Sequence, residues 1–297
     1  MSAAFRQAVH DGDHESVSRL LAAGQSPDEP LDAIGTTPLM AATTVEMVDA
    51  LAQAGASLIP TSFGQDVLQV VVSDHGPAIA DRDGRLRVAR RLIALGVPLE
   101  RRNENGWSRL YVAAFAGDAG AVDALLALGA GPDDQPPPLG AVCWGSGEPT
   151  ETARMVDSLV GAGAVTNVRD GHGWTLLHAA AMPYSHGEGF ESSDGANAEA
   201  VQALIRHGIP PDVTGPDGVT PLMLVAGGGE LGAAEALPAA GADRNVMDAH
   251  GLGALDHARQ SERRLREVLA EASAEHTDAV RTALERASRT ADLLASR

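Results

Sequence analysis

One phrase recurs along this chain and restricts what it can fold into: a leucine-rich stretch, then glycine, then a polar turn. It reads LLAAGQSPDEP from Leu20, LAQAGASLIPT from Leu51 and LIALGVPLERR from Leu92. It returns as LLALGAGPDDQ from Leu125, LVGAGAVTNVR from Leu159, LIRHGIPPDVT from Leu204 and LPAAGADRNVM from Leu237. The glycines are Gly24, Gly55, Gly96, Gly129, Gly163, Gly208 and Gly241, separated by 31, 41, 33, 34, 45 and 33 residues. A period of this size marks one supersecondary unit repeated, each copy burying its apolar face on the next. Glycine directly after a leucine-rich stretch predicts a helix closed by a left-handed residue.

A second phrase follows most of these at a fixed offset: GTTPLMAA at Gly35, GWSRLYVAA at Gly106, GWTLLHAAA at Gly173 and GVTPLMLVA at Gly218. Thr37 and Thr220 stand just before Pro38 and Pro221, which predicts an N-cap followed by the first residue of a helix. Leucine pairs such as Leu125 and Leu126 give the second helix of each unit its buried face.

Together these phrases resemble the ankyrin repeat, a β-turn followed by two antiparallel helices, and the resemblance covers nearly the whole chain. GTTPLMAA and GVTPLMLVA are close to the family's T-P-L-H-x-A phrase, and GADRN is similar to its turn. The resemblance implies an all-α fold, an α-solenoid of helix–turn–helix units with short β-turn hairpins. Seven units and a degenerate eighth are expected in a single solenoid over 1–297. Residues 1–32 form an N-terminal cap repeat, 33–249 the internal repeats, and 250–297 the degenerate last repeat with a capping helix. In the last segment, Leu265, Val268 and Leu269, then Val280, Leu284, Ala287, Ala291 and Leu294, follow helical spacing.

Two of the spacings exceed the period, placing insertions at 74–85 and 183–197, with a smaller irregularity at 145–152. All three fall between the helices of a unit, and insertions gathered on one edge mark a binding edge. In the fifth unit, DDQPPPLG replaces the hairpin.

The chain has nine aromatic residues, and most lie in one stretch. The resemblance implies that the residue after the hairpin glycine and the two residues ending the first helix are exposed for binding. Those positions hold Trp107, Phe115, Trp144, Trp174 and Met182. Tyr111 stands at the family's histidine position, Arg109 where the family has proline, and Tyr184 in the adjoining insertion. Trp, Tyr and Arg dominate binding hot spots. Arg109 is expected to reach a carboxylate or stack on a ring.

Composition narrows the partner. The net charge is −18, and all 22 basic residues are arginine. Arginine without lysine, beside abundant alanine and glycine, points to a GC-rich bacterial genome. So acidic a chain repels nucleic acid and anionic lipid and attracts basic partners. Neither a secretory signal nor a membrane span is expected, which makes the cytoplasm the default location. Cys143 is the single cysteine, excluding an internal disulfide and a multi-cysteine zinc site.

The chemistry-bearing motifs are sparse. No H-E-x-x-H, EF-hand loop, Walker loop or G-x-S-x-G elbow occurs. His178 occupies the family's usual histidine, whose implied role is a hydrogen bond to hairpin backbone. Asp74, His75, Asp81 and Asp83 in one insertion, with His186, Glu188, Glu191 and Asp194 in the other, carry metal-ligating side chains without a recognised spacing. The expectation is therefore a non-catalytic module without cofactor or metal. It captures a basic protein partner, with no nucleic acid or membrane involved. The alternative is a small-molecule or enzymatic pocket closed by the two inserted loops over the aromatic groove, with His178, Tyr111, His186, Glu188 and Asp66 as its polar groups.

Overall fold

The computed structural model describes residues 2–59, 61–62, 65–73, 79, 82–144, 149–182, 196–271 and 276–296. Among these residues the fold is helical, with one antiparallel ladder of two-residue strands, β1 (Thr61–Ser62) and β2 (Gln65–Asp66). The chain divides into two compact units, Met1–Pro138 and Leu139–Arg297.

In the first unit, α1 (Ala3–His10) packs on α2 (His14–Ala22), and α2 packs on α3 (Val45–Gln53). Next come α4 (Val67–Val72), α5 (Arg82–Ala94), α6 (Arg109–Phe115) and α7 (Ala119–Ala127). Helix α5 touches α3, α4 and α7, and α7 also contacts α4 and α6. The core that results is small-grained. Leu51, Leu92 and Leu125 are fully buried among valines and alanines, and among the described residues Phe5 is the largest wholly buried side chain.

The second unit holds α8 (Pro138–Trp144), α9 (Pro149–Gly161), α10 (Leu176–Ala181), α11 (Ala196–Arg206), α12 (Pro221–Gly228) and α13 (Leu231–Ala239). Two longer helices, α14 (Ala254–Glu271) and α15 (Thr277–Ala295), complete it. Here α9 packs on α11, α11 on α13 and α13 on α15, while α10 packs on α12 and α12 on α14. Helix α14 thus continues the row of α10 and α12, whereas the spacing of Leu265, Val268 and Leu269 in the sequence reads as the last second helix of a unit. The reason is local. Gly251 to Ala258 carry the glycine-then-helix phrase, but no glycine follows Ala258 to end the helix, so it runs on to Glu271. Val280, Ala287, Ala291 and Leu294 of α15 are buried as their spacing predicts, whereas Val268 of α14 is 41% exposed.

All seven glycines of the recurring phrase adopt positive φ, between 86° at Gly55 and Gly208 and 105° at Gly96. Each follows a helix and donates its N–H to a carbonyl of the last turn, as in Gly129 N–H to Leu126 O at 2.9 Å. Any other L residue would be strained in this conformation. A second set of left-handed glycines (Gly12, Gly117 and Gly229) joins α1 to α2, α6 to α7 and α12 to α13. Asp13 and Asp118 then cap the following helices, accepting from Ser16 N–H at 3.0 Å and Ala121 N–H at 2.8 Å.

Thr220 caps α12 with Pro221 as its first residue, as the sequence predicts. The matching Thr37–Pro38 pair opens a turn and no helix. Thr37 Oγ1 still accepts from Met40 N–H at 3.4 Å, but Thr44 already caps α3. Too few residues lie between these two caps for a helix to propagate. That unit also has the shortest spacing, 31 residues.

Leu125 is wholly enclosed in α7, and its truncation leaves a cavity between helices. Leu125→Ala is expected to lower the unfolding free energy by about 2–5 kcal/mol, measured by urea denaturation followed by circular dichroism.

Candidate functional site

Trp107 and Trp174 each grow out of a turn built the same way. Asn103 N–H donates to Trp107 O at 2.9 Å, and Asn103 Oδ1 accepts from Asn105 N–H and Trp107 N–H, both at 3.0 Å. Asp170 does the same for His172 and Trp174, and Asp248 for His250 and Leu252. Asp32 accepts from Ile34 and Thr36 in a fourth copy. A side-chain oxygen at the base of the turn satisfies two backbone donors, the habit of Asx residues. Hydrogen bonding to these backbone N–H groups holds the carboxyls of Asp32 and Asp248 below their ordinary value; for Asp32 the largest contribution comes from Thr36, for Asp248 from Leu252.

Arginines brace two of the turns. Arg102 Nη1 donates to Gly106 O at 2.7 Å and to Gln135 O, and its other nitrogen pairs with Asp134. Arg169 Nη1 donates to Gly173 O at 2.6 Å and to Thr214 O at 2.9 Å. In both cases one guanidinium joins a turn to a segment more than thirty residues on.

From the first turn, Trp107, Tyr111 and Phe115 project at intervals of four, one above another on the α6 face. Trp107 meets Tyr111 at a ring-centroid distance of 5.1 Å and Phe115 at 5.8 Å, tilted by 45° and 42°. Tyr111 and Phe115 are near-parallel, 8° apart, at 6.4 Å. Tyr111 is buried, Trp107 is half-buried and Phe115 is 39% exposed. The cluster therefore has an inner wall and an accessible rim.

Arg109, named as a binding residue and expected to reach a carboxylate or stack on a ring, does reach a carboxylate, but in the interior, with 5% exposure. Its Nε donates to Asp66 Oδ1 at 3.0 Å and its Nη2 pairs with Asp66 Oδ2. Its Nη1 also donates to Pro98 O at 2.6 Å and to Leu99 O. Asp66 in turn caps α4, accepting from Leu68 and Gln69 N–H at 3.1 Å, with Arg101 Nη1 at 3.3 Å. Arg109 is a brace joining the starts of α4 and α6 to the turn after α5. The physical reason is the carboxylate at position 66. A buried aspartate needs a cation, and a planar fork satisfies both its oxygens.

In the second unit, Trp174 is half-buried and lies against His178 at 5.2 Å. It also covers Gly215, where an added Cβ would stand 2.6 Å from the indole ring. Trp174 is therefore partly committed to packing on the following turn, more than a turn-tip position suggested. His178 is fully buried between Thr175 Oγ1 at 2.7 Å and Val219 O at 2.9 Å. With one ring nitrogen accepting from the hydroxyl and the other donating to the carbonyl, the neutral imidazole is matched. Burial lowers its pKa, against the raising effect of the Val219 hydrogen bond.

The remaining predicted residues lie partly within and partly outside the described residues. Met182 caps α10 and is half-buried. Trp144 is the last residue of α8. Tyr184 lies outside the described residues, as do both groups of metal-ligating side chains in the insertions, apart from Asp83 in the first turn of α5. Burial in α8 pushes the Cys143 thiol up to about 12 and leaves it a poor nucleophile. Position 66 was the signal for the Asp66–Arg109 pair: an acid where the resemblance has threonine, and an arginine where it has proline.

No protein-family model matches the chain, and a search of curated proteins returns no match.

Two outcomes test these assignments. Arg109→Ala leaves Asp66 buried with only the half-exposed Arg101 as counter-ion, and is expected to cost about 3 kcal/mol of stability in urea unfolding. Because the folded His178 pKa lies below the ordinary 6.5, the neutral ring's contribution is complete above that pH and falls away as pH drops beneath it. The stability lost in His178→Gln is therefore expected to be larger at neutral pH than under mildly acidic conditions, read from paired denaturation curves.

Proposed function

We propose that this chain is an ankyrin-repeat binding module of bacterial type, working in the cytoplasm without catalysis. It captures a basic protein partner on its aromatic, acidic surface, as an immunity protein or an adaptor for another enzyme would. The recurring Asx turn, the paired helices and the left-handed glycines support the repeat assignment. The observation that carries the binding assignment is the Trp107–Tyr111–Phe115 cluster, whose outer ring is 39% exposed in a chain of net charge −18. An exposed aromatic rim backed by a packed inner ring has the character of a hot spot. The acidic field adds attraction for a basic surface and speeds encounter.

The test is affinity capture from the native host's lysate at low and moderate salt, comparing the intact chain with Trp107→Ala/Phe115→Ala. A stoichiometric basic protein, retained at low salt and lost with the double variant, is the expected result. Retention that ignores both salt and the aromatic substitutions overturns the assignment, as does an empty, correctly folded bait.

A further inference from the structure

The ring geometry and the local charge narrow the partner further, on the assumption that the chain binds a basic protein. The three rings touch one another, with centroids 5.1–6.4 Å apart. No gap is left between them for a side chain to enter. They form a platform, approached from outside, with the Phe115 and Trp107 rings at its surface. A platform favours a flat group that stacks over a group that must be enclosed.

The charge around it selects the sign of that group. Within the turn and helix that carry the rings, residues 103–115, the charged residues are Glu104 and Arg109. Arg109 is buried on Asp66, and the neighbouring Arg102 is already paired with Asp134. Neither guanidinium is available to cover the exposed rings. Glu104 stands exposed in the same turn as Trp107. At physiological salt, charges beyond about 8 Å are screened, so Glu104, in the turn that carries Trp107, matters more than the net charge.

We infer that the Trp107–Phe115 platform is an arginine-selective subsite, which stacks a guanidinium of the partner protein and discriminates against lysine. Guanidinium is planar and weakly hydrated, so it lies on a ring face at small desolvation cost. An ammonium is compact and strongly hydrated, and without an enclosing cage it retains its water.

Two synthetic peptides of equal length and charge, one with six arginines and one with six lysines in a Gly/Ser background, distinguish the cases when titrated by calorimetry onto the full chain. The arginine peptide is expected to bind about fivefold more tightly. Phe115→Ala and Trp107→Leu, each checked for an unchanged melting curve, are expected to reduce it to the level of the lysine peptide. Equal binding of the two peptides overturns the arginine subsite while leaving a basic partner in place. An arginine preference that survives both substitutions places the selectivity elsewhere and also overturns it. If neither peptide binds at low salt, the proposal of a basic partner fails, and the subsite with it.

Discussion

A single side-chain oxygen at the base of four turns is the constraint on which much of the described chain depends. Asp32, Asn103, Asp170 and Asp248 each hold two backbone N–H groups with one oxygen. That grip fixes the residue at the turn's exit, and so decides where Trp107, Trp174 and Leu252 start. In three of these turns the next helix begins within two residues of the exit. The direction of the helix, its N-cap and the face it presents are thus inherited from a few atoms. Interior leucines supply the stabilisation by leaving water, but they do not choose the geometry.

The Asp66–Arg109 pair shows how one departure from a pattern forces another. Threonine at position 66 would cap α4 with a neutral oxygen and ask nothing more of its surroundings. Aspartate makes two backbone hydrogen bonds but carries a charge with 7% exposure, which must be neutralised. The arginine that does so is recruited from the first residue of α6, which bears the aromatic cluster. The alignment of Tyr111 and Phe115 is in this way coupled to a carboxylate forty-odd residues earlier.

Much of this was legible in the sequence because it rests on short-range rules. Glycine after a leucine-rich stretch announces positive φ, and all seven such positions have it. Thr220 before Pro221 announces a cap, and apolar positions three or four apart announce the buried face of α15. Features that depend on partners distant in the chain were harder to see. Arg109 reads as a surface cation until Asp66 is seen beside it. Trp174 reads as an exposed turn residue until Gly215, with no side chain, slides under its ring. Thr37 has the right neighbours for a helix, and only the count of residues to the next cap denies it one. The site divides along the same line. That aromatic residues gather around α6 is plain from the string, but which ring faces outward depends on packing.

The carboxylates that tie one segment to the next carry a consequence for how the protein is made. Asp28 holds Ser57 N–H at 2.8 Å, Glu100 holds Gly131 N–H at 3.1 Å and Asp212 holds Asp243 N–H at 3.0 Å. The partners are 29, 31 and 31 residues apart. A chain emerging from the ribosome can close each tie soon after its second partner clears the exit tunnel, while the remainder is still being translated. Contacts of such short sequence separation form quickly. Nascent segments can then bury their leucines in order of synthesis, which shortens the time that apolar surface is open to aggregation.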